Sequence, residues 1–290
     1  MLAIIGFVVV IVSILGGFLW EGGPLATLLQ PAELLIIGGS ASGALLIGTS
    51  PKVIKLMLGQ LTGILKGGPT SKDYLDLLLM LYELLNLTRR EGLLALENHV
   101  EKPDESEILR KYPSFVKNHH AVAFMCDTLR LILTDPDIQA HDLDALMDVD
   151  LDTHHHEASK PSQVLQTIGD ALPGLGIVAA VLGIIITMGA IDGPPSEIGE
   201  KVGAALVGTF LGILLSYGFV QPLSQNLATK TDAEGRYYLA LKQVLLAFHK
   251  GCAPAVSVEF ARRSIYSDVR PSFSQLDEAF RAAKAGAAAG

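Results

Sequence analysis

The stretch that decides the fold is ALPGLGIVAAVLGIIITMGA at 171–190, followed after a short break by VGAALVGTFLGILLSYGFV at 202–220. Neither contains a charged side chain or a histidine. A helix crosses the hydrocarbon core of a bilayer with about 20 apolar residues, and each stretch has that length. Two more such stretches lie at 1–20 and 31–50, where Glu33 is the single charged residue. These blocks explain the composition. Charged residues make up 18% of the 290, against about 25% in soluble domains, and the mean hydropathy is +0.41. The expected fold class is an all-α integral membrane protein with four transmembrane helices and a large helical cytoplasmic domain. A soluble globular enzyme is excluded.

Residues 1–20 have no basic n-region, and no A-x-A-like site follows them, so they read as a retained anchor rather than a signal peptide. The formal net charge of −8 offers no basic patch for nucleic acid. Cys126 and Cys252 lie outside the spans and are too few for a disulfide framework. An even number of spans puts both termini on one side. Every lysine and arginine except Lys201 falls in 51–170 or 221–290, and Lys52, Lys55 and Lys66 follow closely on the second span. That bias places both large segments in the cytoplasm. The expected organisation is two membrane helices with a short periplasmic loop (1–50), a cytoplasmic helical domain (51–170), two further membrane helices (171–220) and cytoplasmic C-terminal helices (221–290).

The cytoplasmic segments carry helical patterns. Residues 72–100 repeat Leu, Met and Tyr at helical spacing, and 121–134 form a short apolar helix. The early part of 135–170, with Pro136, reads as loop, and 162–170 lead helically into span three. Residues 223–249 continue span four and stop at Gly251. Ser272, with Gln275 three residues on, reads as the N-cap of a last helix through Lys284. The alanine- and glycine-rich tail at 285–290 is expected to fray.

The spans are rich in small residues. Gly176, Ala180, Gly183 and Thr187 form one stripe on span three, and Ala205, Thr209, Gly212 and Ser216 form another on span four. Small residues at helical spacing let membrane helices approach closely. A proton or ion relay within the bilayer needs an Asp, Glu or His, and spans three and four have none. Glu33 follows Pro31 in the first turn of span two, where a carboxylate faces the positive end of the helix dipole, and reads as an interfacial helix-start residue. If the chain conducts ions, a partner helix must supply the carboxylate, docking on the hydroxyl-and-glycine face. Pro173 and Pro222 sit at the cytoplasmic ends of spans three and four. They serve either as helix-boundary kinks or as hinges. His154, His155 and His156 have metal-ligand side chains, but consecutive histidines share no helix face, and a solvated acidic loop is the expectation. No phosphate loop, nucleophile elbow or H-E-x-x-H occurs, and no enzyme activity, metal or cofactor is expected.

The chain resembles the MotA family, the proton-type A subunits of flagellar motor stators in Gram-negative bacteria. The resemblance rests on QPAELLII (30–37), GDALPGLGIVAAV (169–181), MGA (188–190), VGTFLGILL (207–215) with YGF (217–219), and VEFAR (258–262) before RPSF (270–273). It implies an inner-membrane unit with both termini cytoplasmic. Such a unit is a homo-pentamer around two copies of a MotB-like B subunit, whose single membrane helix carries the ion-binding Asp. The transported species is a proton, and torque is delivered to the rotor switch protein FliG. Pro173 and Pro222 match the family's two functional prolines, Ala180 and Thr209 its ion path, and Tyr217 a tyrosine lower on span four. Sodium-using relatives tend to carry Thr where this chain has Ala180. Anchoring on Gly92 assigns the rotor-contacting charges to Arg89 and Glu97. Seven residues is nearly two helical turns, so Arg90 shares a face with Glu97 better than Arg89 does. Other readings are an energiser of outer-membrane transport from the same superfamily, whose members usually have three spans, and a non-conducting membrane scaffold. A self-contained transporter would need a charged site that the spans lack.

Overall fold

A computed structural model describes residues 2–64, 67–189 and 191–289, with side chains through Ala283. Met1, Lys66, Ala190 and Gly290, which enter the sequence argument, lie outside the described residues. Among those described, the secondary structure is helical throughout, and the chain divides into two compact units, Met1–Gly67 with Ala158–Lys230, and Gly68–Glu157 with Thr231–Gly290.

The first unit holds the membrane helices. Among the described residues, four helices are long and apolar enough to cross a bilayer, as expected. They begin with α1 (Leu2–Trp20) and α2 (Pro31–Gly48), after which α3 (Pro51–Thr62) follows on Ser50. The third span is the end of α8 (Ala140–Met188), a helix of 49 residues. The fourth is α9 (Pro195–Ile213), which passes through a π-helical stretch, Leu214–Val220, into α10 (Gln221–His249). Pro31, Pro51 and Pro195 each stand at a helix start, where a missing N–H costs nothing. Pro161 and Pro173 lie inside α8, which runs through both. Pro222 follows directly on the π stretch. Its ring crowds the carbonyl four residues back, and the wide π turn is a common way of absorbing such a local mismatch. α1 buries no residue, and Phe7 meets Phe219 with ring centroids 5.4 Å apart.

The second unit is built on α4 (Ser71–Glu91). Thr70 caps it reciprocally, with its hydroxyl accepting from the Asp73 N–H and its own N–H donating to the Asp73 carboxylate. Tyr74, Leu77, Leu81, Leu84, Leu85 and Thr88 form the buried stripe. The expected single helix over 72–100 is interrupted. Gly92 has φ 90°, a backbone that side chains rarely adopt. It ends α4, and a 3₁₀ turn (Leu93–Leu96) leads into the short α5 (Glu97–Glu101). After α6 (Pro113–Val116) and α7 (His119–Thr134), α8 begins at Ala140. The expected loop is therefore confined to the residues before Ala140, and His154, His155 and His156 are helical. The reason is the four-residue spacing of Leu143, Met147 and Leu151, the first two fully buried. α11 (Pro254–Ser264) and α12 (Phe273–Ala289) complete the unit. Ser272 and Gln275 exchange the expected capping bonds, and Tyr82 stacks on Phe280. α12 continues past Lys284 to Ala289, consistent with the high helix propensity of alanine.

Internal charges tie this unit together. Lys242, 4% exposed, bonds both Asp144 and Asp148, at 2.5 and 2.6 Å. Arg262 and Arg263 hold the Glu259 carboxyl well down, at about 2. The His120 and His154 rings stack at 3.6 Å with Tyr238 edge-on to both. Burial, then the neighbouring His120 charge, pushes His154 down to about 4 from its ordinary 6.5. Its folded pKa is depressed, so the stack contributes fully above about 6.5 and that contribution is lost as pH falls towards about 4. The unfolding midpoint of the purified protein should therefore drop over this window. His154→Phe should flatten the dependence, and an unchanged profile in the variant would show that the stack does not titrate.

Candidate functional site

The membrane unit centres on the crossing of α8 and α9, where two backbones touch. A Cβ on Gly176 would lie 2.8 Å from the Gly208 carbonyl oxygen and 3.1 Å from the Gly212 Cα. One on Gly212 would lie 2.6 Å from the Leu172 carbonyl oxygen and 2.8 Å from the Gly176 Cα. Real Cβ atoms do not approach backbone so closely, so these glycines are required by contact. At the Gly169 end of the crossing, the Ser216 hydroxyl, wholly buried, donates to the Gly169 carbonyl at 2.6 Å.

Part of the small-residue face packs within the chain itself. Ala205, Gly212 and Ser216 are buried against α8 of the same chain, because the glycines allow the two helices to close on each other. Ala180 is also buried, at 6% exposure, with its backbone N near Gly208. Thr209 is half-buried, and its Cα faces Gly176. Both expected ion-path residues therefore sit at the crossing. Tyr217 is well exposed, Pro173 half-buried and Pro222 exposed.

Glu33 is the residue that sequence reasoning underrated. It lies in the first turn of α2, as expected, but it is only 7% exposed. Its carboxyl enters the α8–α9 seam, with Oε2 2.6 Å from where a Gly208 Cβ would stand and Oε1 3.5 Å from where a Gly183 Cβ would stand. The usable signal was its status as the single charge of the spans beside glycine stripes with room to receive it.

In the second unit, Arg89 and Glu97 are both exposed. Because α4 stops at Gly92, counting turns from Arg90 to Glu97 does not apply, and Arg90 itself meets Glu91 at 3.9 Å. The three histidines do not converge. His154 stacks inward while His155 faces Asp232, and no group of metal-ligating side chains occurs among the described residues.

Glycine-packed spans of this kind define a multi-pass integral membrane protein. Residues 117–238 match the MotA/TolQ/ExbB proton channel family, and residues 4–92 match the family Motility protein A N-terminal. The chain is 41% identical to Motility protein A of Escherichia coli over 98% of its length and 96% of the relative's. It is 37% identical to Chemotaxis protein LafT of Vibrio parahaemolyticus, covering 94% and 96%. The flagellar MotAB stator complex of Bacillus subtilis matches with a TM-score of 0.71 and 26% identity, over 89% of this chain and 92% of that one. The MotAB structure of C. jejuni matches with a TM-score of 0.75 over 93% and 98%, at 20% identity. The chain belongs to the MotA family.

The crossing makes a sharp prediction. Gly212→Ala should destabilise the protein on the order of 1–3 kcal/mol, the usual cost of overpacking, because the atoms it meets are backbone. Gly203→Ala, with nothing within 4 Å of its Cβ position, should leave the melting temperature unchanged or raised. Equal melting of the two variants would disprove the backbone contact.

Proposed function

We infer that this chain is the A-type subunit of a flagellar motor stator, a proton-conducting inner-membrane complex that turns ion flow into torque on the rotor, and not an enzyme. The observation that carries the mechanism is the α8–α9 crossing, with Ala180 and Thr209 at a level where neither helix offers a charged side chain. Spans three and four carry no Asp, Glu or His of their own, so the carboxylate docked on that face has to come from a partner. A B subunit with one acid-bearing membrane helix fits that need, and the names of the solved relatives, each a MotAB complex, support it. The assembly proposed is a homo-pentamer of this chain around two B subunits, in contact with membrane lipid, with both termini cytoplasmic. Tyr217 lies on the B-subunit side, Pro173 and Pro222 act as hinges, and Arg89 and Glu97 face FliG. With Motility protein A similarity along the whole chain, the stator reading is preferred over the outer-membrane energiser.

Coupling is to protons. Sodium needs several oxygen ligands, and Ala180 offers none from its side chain beside Thr209. The remaining hydroxyls, Thr187 and Ser216, lie seven residues along their helices, about 10 Å at 1.5 Å per residue, beyond one ion's shell. Liposomes holding this chain alone should stay proton-tight, and those holding it with the B subunit should conduct. Swimming speed should be independent of external sodium and collapse with a protonophore. Sodium-scaled speed that survives the protonophore would refute proton coupling.

Charge reversal at Arg89 or Glu97 should impair motility at unchanged melting temperature, since exposed charges contribute little to stability. A compensating reversal on FliG should restore swimming. Full motility in both single variants would remove these residues from the rotor contact.

A further inference from the structure

The buried carboxyl of Glu33 is unused by the mechanism above. It is 7% exposed, and its Oε2 is fully buried with no hydrogen-bond partner. It occupies a notch with a built floor. Gly208 and Gly183 lack the side chains that would fill it, and the Ala179 Cβ and Ala180 N close the same space, 3.1 and 3.2 Å from the Gly208 Cβ position. A methyl on Gly208 would overlap the carboxyl oxygen itself. Among the described residues, no charged group on the packed elements pairs with it. The α8 segment from Ala171 to Met188 has none, and α9 carries Glu197, Glu200 and Lys201 only in its first turns, Glu197 paired with Lys201 at 2.9 Å. The nearby buried hydroxyl, Thr187, donates to its own helix at Gly183. A cation side chain is therefore not what neutralises Glu33.

We propose that Glu33 is a proton-binding site of this chain, taking up and releasing a proton beside Ala180 as ions pass. An ionised carboxylate is acceptor-only, and burying one without partners is strongly disfavoured. Taking a proton from hydronium forms an O–H bond at Oε2 and leaves water, and release reverses both changes. The position within the first turn of α2 keeps the group near one membrane face, where water can deliver and remove protons. Intramembrane ionisable residues are functional sites by default, and the glycine notch shows a space kept for this one.

The proposal rests on the stator reading, and the test separates the two. The complex of full-length chain and B subunit is reconstituted in liposomes as wild type, Glu33→Gln and Glu33→Asp. Infrared difference spectra across a pH jump should show a carboxyl C=O band that responds to pH, is lost in Glu33→Gln and persists, displaced, in Glu33→Asp. Proton flux in Glu33→Gln should fall at least several-fold and lose its dependence on external pH, with Glu33→Asp partly restoring both. A band that survives Glu33→Gln, or wild-type flux with a wild-type pH profile in that variant, overturns the proposal. Should Glu33→Gln fail to assemble, a Glu33→Asp complex with wild-type band position and pH profile overturns it equally. The infrared arm reads Glu33 whether or not the liposomes conduct, so a silent wild-type complex counts against the stator reading alone.

Discussion

The membrane unit depends on one constraint, the backbone contact of Gly176 with Gly208 and Gly212. Lipid tails are as apolar as leucine, so no hydrophobic force drives two membrane helices together. Close packing has to do it. With the interhelical distance fixed by absent side chains, other features follow. Ser216 reaches the Gly169 carbonyl on the facing helix, and the small core of Ile37, Leu172 and Ala179 fills in. The seam then receives the Glu33 carboxyl, which a larger residue at Gly208 would exclude. Packing and chemistry share the same glycines.

The helices that carry this contact are longer than the bilayer requires. α8 continues through Pro161 and Pro173, and α9 continues through a π stretch into α10 past Pro222. A proline inside a helix removes one hydrogen bond and bends the chain without ending it when the neighbouring packing holds. In α8 that packing is visible on both sides of Pro173, with Leu172 buried and Gly176 against α9. The π stretch does the same service before Pro222. Pro173 thus sits where its helix is weakest locally and is held by its surroundings, while the exposed Pro222 follows a π turn.

The spans were legible because charge exclusion and a 20-residue length are strong signals that no soluble element imitates. The capping of α12 was legible because Ser272 and Gln275 stand three apart. The break at Gly92 was not, since a leucine-rich run continues through 93–96 and periodicity does not register a single positive φ. The histidine run was misread because the solvated face of an amphipathic helix looks like loop when Leu143 and Met147, the buried positions, stand well upstream. At the site, the small-residue stripes announced a close contact but not its partner. One stripe fits an external helix as well as an internal one, and only three-dimensional packing distinguishes them.

Glu33 shows the same ambiguity more sharply, and the charges of the second unit clarify it by contrast. There, the buried Lys242 pairs with two carboxylates and the half-buried Glu259 with two guanidiniums, so these charges are neutralised by partners. Breaking such pairs leaves an uncompensated charge, which makes them structural. Arg89 and Glu97 are exposed and take part in no ion pair among the described residues, which leaves them free for another surface. Glu33 fits neither pattern, being buried like the first group and without a counter-charge like the second. A carboxyl in that position has one inexpensive way to become neutral, which is to hold a proton.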